Sequence, residues 1–304
     1  MIILSGSKST SLGETIAHNL GIQVENVSTR VFPDGEYYIR ITNQILDKEV
    51  FIIQSMFPDP NDSLMEFLLI SDTAKDMGAS KITGIIPYSA YARQDKRFQP
   101  GEALSVKTVI NLMKSVSVEY LITIDTHYRH VGIGEFDLFG IPCYNLSACR
   151  ILLRHIEEEI GKEFLTIGPD FGSSAMVEYA TGEVQVLKKE KRCPICGLPV
   201  TQCKCEDKHK EYVITDLVSE IDFSGKNVVI LDDMIASGGT MIKAVEKVKS
   251  EGARKVIAAA THGLFLKDSL RKLQEMTDYL VVTDSISTAV SNVSVAPLIV
   301  EIIK

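Results

Sequence analysis

The chain lacks an excess of basic charge, a long apolar run and any low-complexity tract, and each absence removes a class of protein. Forty acidic side chains against 32 basic ones leave a formal charge of −8. Non-specific polyanion binding needs a basic face, so a general nucleic-acid binder is excluded while a local basic site is not. No apolar run approaches the roughly 18 residues of a membrane helix. The first residues, MIILSGSKSTSLGE, have no charged n-region followed by a longer apolar stretch. Together these predict no membrane association, no signal peptide and a cytoplasmic location. Twenty glycines and ten prolines are too few for a collagen-like or disordered chain, and no Gly/Ser linker or short repeat interrupts it.

What remains is 304 residues of ordinary globular composition, enough for two domains of roughly 100 to 200 residues each. Short β-branched runs alternate with helix-period segments, the pattern of parallel α/β layers. Strands are expected at Ile2–Leu4, Val50–Gln54, Ile82–Pro87, Tyr120–Asp125, Phe164–Gly168, Val184–Leu187, Asn227–Leu231, Val256–Ala260 and Tyr279–Thr283. Leu12, Ile16 and Leu20 share a helical face that Gly21 is placed to close. A second helix is expected from Ser63, which has capping-box spacing to Glu66, and others at Ser147–Glu159, Thr240–Glu251 and Lys267–Gln274. Two similar sheets with a boundary near residues 140 to 146 give an N-terminal domain of 1–143 and a C-terminal domain of 144–304.

The most informative segment is VVILDDMIASGGTM, Val228–Met241. A buried apolar strand, two carboxylates at its carboxyl end and a small-residue loop opening a helix make a phosphate cradle. Ser237, Gly238, Gly239 and Thr240 can present successive N–H groups to a phosphate at the helix N-terminus. Asp232 and Asp233 suit a ribose diol or a magnesium ion. The segment resembles the phosphoribosyl diphosphate motif of type I phosphoribosyltransferase folds, whose usual form ends Asp-Thr-Gly-Gly-Thr. Ala236 stands here at the acidic position.

Two further segments, RVFPDGEYYIR (Arg30–Arg40) and IIPYSAYARQDKRFQPGEALS (Ile85–Ser105), resemble the nucleotide-contacting motifs of the ribose-phosphate diphosphokinase family. Asn61–Ala79 is similar to the helix that this family places between them. The resemblance covers nearly the whole chain and implies an α/β fold of two similar phosphoribosyltransferase-like domains, each a mainly parallel sheet flanked by helices. It implies that ATP lies over Phe32, Asp34, Gly35, Glu36, Arg93 and Gln94, and that His127, in ITIDTHYRH, touches the metal-nucleotide complex. In GPDFGSSAM, Gly168–Met176, it implies that Asp170 binds magnesium; a helix N-cap is the plain alternative. The cradle from Asp232 and Asp233 through Ala236 to Thr240 would take ribose 5-phosphate. The family also implies a homo-oligomer.

The loop 188–212 departs from the family, whose members open a mobile loop here with Lys-x-Arg. Aligning on the preceding strand puts Lys189 at the catalytic lysine and Lys191 at the arginine, with Arg192 the substitute if the register slips by one. A lysine cannot reproduce the two-pronged contacts of a guanidinium. Four of the six cysteines follow within thirteen positions: Cys193, Cys196, Cys203 and Cys205. Four thiolates suit a tetrahedral zinc ion, with His209 as an alternative to Cys205, and reduced thiols or a redox pair as the competing reading. A zinc-clamped tip would stiffen a loop that must close over substrate, making metal or thiol oxidation a regulator of activity.

The activity implied is transfer of the β,γ-diphosphoryl group of ATP to the 1-hydroxyl of ribose 5-phosphate, with magnesium, Lys189, Lys191 and Arg93 neutralising charge. Its competitors are a phosphoribosyltransferase using the same cradle and a catalytically silent regulatory homologue.

Overall fold

Apolar runs of four to six residues, too short for buried helices, become the central strands. In the computed structural model the chain runs β1 (Ile2–Ser5), α1 (Thr10–Leu20), β2 (Glu25–Asn26), β3 (Ser28–Val31), β4 (Tyr37–Arg40), β5 (Glu49–Ile53), α2 (Pro60–Asp76) and β6 (Lys81–Ile86). It continues with α3 (Ser105–Ser115), β7 (Tyr120–Ile124), β8 (Gly134–Leu138), β9 (Ile141–Leu146), α4 (Cys149–Ile160), β10 (Leu165–Ile167), α5 (Ser174–Thr181), β11 (Lys188–Lys191) and β12 (Ile214–Val218). The last elements are β13 (Asn227–Ile235), α6 (Gly239–Ser250), β14 (Lys255–Gly263), α7 (Ser269–Met276), β15 (Tyr279–Thr283), β16 (Ser291–Val293) and α8 (Ala296–Ile303). The structure describes all residues except 24, 98, 129–131, 192, 194–195, 197, 199–202, 204, 206–213 and 219–220. It gives the backbone alone for 25–26, 189, 191 and 214–218.

The fold is α/β. A seven-stranded sheet has the order β2-β1-β5-β6-β7-β9-β8, parallel except that β8 runs against β9. A five-stranded sheet has the order β10-β13-β14-β15-β16, and two hairpins, β3-β4 and β11-β12, stand as separate two-stranded sheets. The chain gathers into two compact units: Met1–Leu152 with Thr261–Leu264 and Val282–Lys304, and Leu153–Ala260 with Phe265–Val281.

In the first unit, one core cluster joins Ile3, Phe51, Ile53, Ile85, Ile122 and Ile124 of the strands to Leu12 and Ile16 of α1 and Ile299 and Ile303 of α8. Gly21, at φ 67°, closes α1 as expected. In the second unit Val228–Leu231 of β13 are fully buried, as are Ala244, Val245 and Val248 on one face of α6.

Three local expectations need correction. Helix α2 starts at Pro60, three residues before Ser63, because a proline at the first helical position costs no hydrogen bond. Ser63 and Glu66 are therefore interior and fully buried, and form no capping box. Glu66 instead accepts from Ser7 N (3.0 Å), Ser7 Oγ (2.6 Å), Thr29 Oγ1 (2.8 Å) and Gln54 Nε2 (2.6 Å), tying β3 and the segments just after β1 and β5 to the helix. Val184–Leu187 makes a single parallel bridge, Val186 to Gly168, rather than a strand. The strand expected to end at Leu231 continues to Ile235.

Candidate active site

In parallel sheets ligands collect at the carboxyl ends of the strands. In the second unit β10 pairs with β13 in parallel, Leu165 with Val228 and Ile167 with Ile230, so the loops after both strands leave from one edge. The Gly168–Val186 bridge brings the segment leading into Lys188 to the same edge, with Gly168 N donating to Gln185 O (2.7 Å) and Leu187 N to Gly168 O (3.0 Å).

Because β13 runs four residues further than expected, Asp232 and Asp233 are strand residues, half-buried at its end. Asp232 Oδ1 accepts from Asp233 N at 3.1 Å. The turn beyond is pinned through its backbone: Phe265 N donates to Ile235 O (3.0 Å) and Leu266 N to Ala236 O (2.9 Å). Gly238 caps α6 at φ 76°, and a Cβ there would lie 2.7 Å from Ser269 Cβ. Only glycine satisfies both the left-handed backbone and that approach. Ser237 and Gly239 are exposed and Thr240 half-buried, where the first N–H groups of α6 have no intrahelical acceptor.

Asp170 is half-buried and accepts from Gly172 N at 2.8 Å, capping a 3-10 turn that leads into α5. The N-cap role is thus realised, and its carboxylate remains a hard donor at the strand-end edge. Lys189 pairs with Leu217 across the β11-β12 hairpin, Lys191 pairs with Ile214, and a β-bulge falls between Glu190 and Lys191. Arg192 and His209 lie outside the described residues.

In the first unit, the β3-β4 hairpin presents the first nucleotide motif. Gly35 N donates to Phe32 O (2.9 Å), Glu36 N to Asp34 Oδ1 (3.2 Å) and Phe32 N to Glu36 O (2.8 Å). Gly35 takes φ 96°, which this turn requires. Phe32 is 44% exposed, its ring edge-on to Tyr38, over which the Arg30 guanidinium lies at 4.5 Å. The second motif leaves β6 with Tyr88, Ala90 and Ala92 buried, while Arg93 is exposed and Gln94 half-exposed. Tyr88 and the two alanines anchor the segment, and Arg93 is left exposed.

His127 sits in a turn fixed on both sides. Before it, Asp125 adopts φ 38° and its Oδ2 accepts from Ala148 N (2.8 Å) and Thr261 Oγ1 (2.6 Å). After it, burial pushes the Tyr128 phenol up to about 12, and its hydroxyl lies 3.0 Å from Ser89 Oγ in the second motif. The half-buried His127 ring is thereby carried at the carboxyl edge beside that motif. The core histidine is His262 instead, 1% exposed: Nε2 faces Ile124 O (3.0 Å), Nδ1 faces Ser285 Oγ (2.8 Å), and Tyr88 packs edge-on at 5.2 Å. Asp125→Ala should lower unfolding free energy by about 2–3 kcal/mol in urea melts, because it strands two buried donors. A loss below about 0.5 kcal/mol would show that the clamp is not structural.

The four clustered cysteines converge, all sulfurs within 4.8 Å of one another, with Cys193 buried and Cys196 exposed. Cys143 and Cys149 stand apart; burial pushes them up to about 12 and about 11, so both stay protonated and unreactive.

Residues 1–116 match the N-terminal domain of ribose phosphate pyrophosphokinase, and residues 185–298 match the phosphoribosyl transferase domain. The ribose-phosphate pyrophosphokinase of Sulfurisphaera tokodaii is 34% identical over 97% of this chain and 96% of its own. The chain belongs to the ribose-phosphate pyrophosphokinase family. A second member, from Methanobrevibacter smithii, is 34% identical over the full length of both chains. The crystal structure of phosphoribosylpyrophosphate synthetase from Mycobacterium smegmatis superposes with a TM-score of 0.80 over 99% of this chain and 97% of that one, at 27% identity.

Proposed function

We propose that this member of the family transfers the β,γ-diphosphoryl group of ATP to the 1-hydroxyl of ribose 5-phosphate. The sugar oxygen attacks the β-phosphorus, the bond from that phosphorus to the oxygen bridging the α-phosphate breaks, and the hydroxyl proton passes to solvent. AMP and 5-phosphoribosyl 1-diphosphate are the products. The observation that carries this reading is the cradle itself: paired carboxylates ending β13, followed by a glycine-capped helix with no room for a Cβ, in a chain that also bears two nucleotide-type motifs.

The 5-phosphate is assigned to Ser237–Thr240 and the ribose hydroxyls to Asp232 and Asp233. The nucleotide is assigned to Phe32, Asp34, Gly35, Glu36, Arg93, Gln94 and His127. Lys189, with Lys191 and Arg192, is assigned to the transferring group. The half-buried Asp170 carboxylate suits magnesium, which would neutralise the charge of the polyphosphate, and His127 is assigned to the same metal-nucleotide complex on the family resemblance alone. No residue is needed as a dedicated base, since alignment and charge neutralisation dominate phosphoryl transfer. Domains of 1–143 and 144–304 divide these roles. Zinc is proposed for the cysteine cluster. A homo-oligomer and a cytoplasmic location complete the reading; among the described residues no helix is long and apolar enough to cross a membrane.

The departures Ala236 and Lys191 favour one second reading, a catalytically silent homologue. An AMP assay with ATP and magnesium, with and without ribose 5-phosphate, separates the two. AMP formation that depends on ribose 5-phosphate supports the enzyme, and its absence at saturating magnesium overturns it.

A further inference from the structure

The β11-β12 hairpin is joined by 22 residues, and its strands have only four and five residues. An isolated two-stranded hairpin is marginal in water, and a longer connection adds to the closure cost. Cys193 follows Lys191, the last residue of β11, with one residue between. Its backbone N–H donates to Leu198 O at 2.8 Å.

The sulfur geometry is that of a coordination site. Cys196 and Cys203 sulfurs are 3.7 Å apart, and Cys193 and Cys205 sulfurs 4.0 Å. Ligands at the zinc–thiolate distance of about 2.3 Å on a regular tetrahedron are separated by about 3.8 Å. A disulfide would need about 2.05 Å, and all four cysteines are free. Four soft thiolates in a closed tetrahedral set select zinc over magnesium or calcium and leave no position for substrate, so the site is structural.

We propose that Cys193, Cys196, Cys203 and Cys205 bind one zinc ion, and that this ion clamps the closed end of the β11-β12 hairpin so that the strand carrying Lys189 keeps its register. Bound metal shortens the connection to the single residue before Cys193 and the eight after Cys205. The cysteines are positioning residues. Zinc binding is independent of the diphosphotransfer reading, whereas the effect on turnover rests on it.

Elemental analysis and steady-state kinetics on the full chain, purified without added metal, test both halves. About one zinc per chain is expected. The double variant Cys193→Ser/Cys196→Ser should lose it, with turnover falling about 10- to 100-fold while the KM values for ATP and ribose 5-phosphate stay within about threefold. Cys205→His, which keeps a ligand, should retain metal and turnover. Wild-type protein stripped by a chelator should lose turnover and regain it with zinc or cobalt, the cobalt form showing thiolate charge-transfer and tetrahedral ligand-field bands. The stripped protein gives the same readout should the double variant fail to fold. Less than about half an equivalent of zinc, or iron in its place, overturns the site. Full turnover in the stripped protein overturns the clamp, and zinc-loaded protein that makes no AMP overturns the diphosphotransfer reading while the metal site stands.

Discussion

Lys189→Ala is expected to lower turnover by about 10²- to 10³-fold, equivalent to about 3–4 kcal/mol of transition-state stabilisation. Phosphoryl groups transfer through a transition state rich in negative charge, and a chain of net charge −8 places Lys188, Lys189 and Lys191 together on one strand, β11. Lys189 lies within β11, paired with Leu217, so its backbone position is set by the hairpin. A cation that acts on the transferring group in the transition state changes kcat and leaves the affinity for ribose 5-phosphate within about threefold. Lys189→Arg, which keeps the charge but alters reach and geometry, should recover only part of the loss. Steady-state kinetics with both substrates varied check this, and a change in kcat of less than about threefold would remove Lys189 from the chemistry.

The second large effect belongs to Gly238→Val. The residue takes φ 76°, where a β-branched side chain is strained, and even a Cβ would press on Ser269 at 2.7 Å. Relief requires either the helix start to unwind or α7 to withdraw, and either disturbs the helix start to which the 5-phosphate is assigned. The KM for ribose 5-phosphate should rise at least about 10-fold and unfolding free energy should drop by about 2–4 kcal/mol. Calorimetry with ribose 5-phosphate and with an ATP analogue separates a local defect from a global one. The first ligand should weaken and the second bind as in wild type.

Much of this was legible in the sequence. The strand at Tyr279–Thr283 falls where expected, and the central strands of the first sheet lie within a residue or two of their apolar runs. Period and apolar runs mark buried parallel strands well because those strands are covered on both faces. The cradle was visible as a motif, but not that β13 continues through Asp232 and Asp233, since carboxylates read as the end of a strand. The hairpins β3-β4 and β11-β12 have strands of only four or five residues, too short for alternation to announce them. Pro60 starts the helix, but the Ser63–Glu66 spacing imitates a capping box, and the fold uses that glutamate as a buried acceptor instead. His262 and Thr261 carried no local signal. Their partners, Ile124, Ser285 and Asp125, lie 23 to 138 residues away in sequence. The return of α8 to the first unit is likewise a tertiary fact that no single stretch encodes.

A phosphorus NMR spectrum of the full chain reacting with ATP, magnesium and ribose 5-phosphate tests the central claim most directly. AMP and 5-phosphoribosyl 1-diphosphate should appear together in equal amounts, with no ADP and with no AMP when the sugar phosphate is left out. ADP in place of AMP, or AMP formed at the same rate without ribose 5-phosphate, would contradict diphosphoryl transfer at this site.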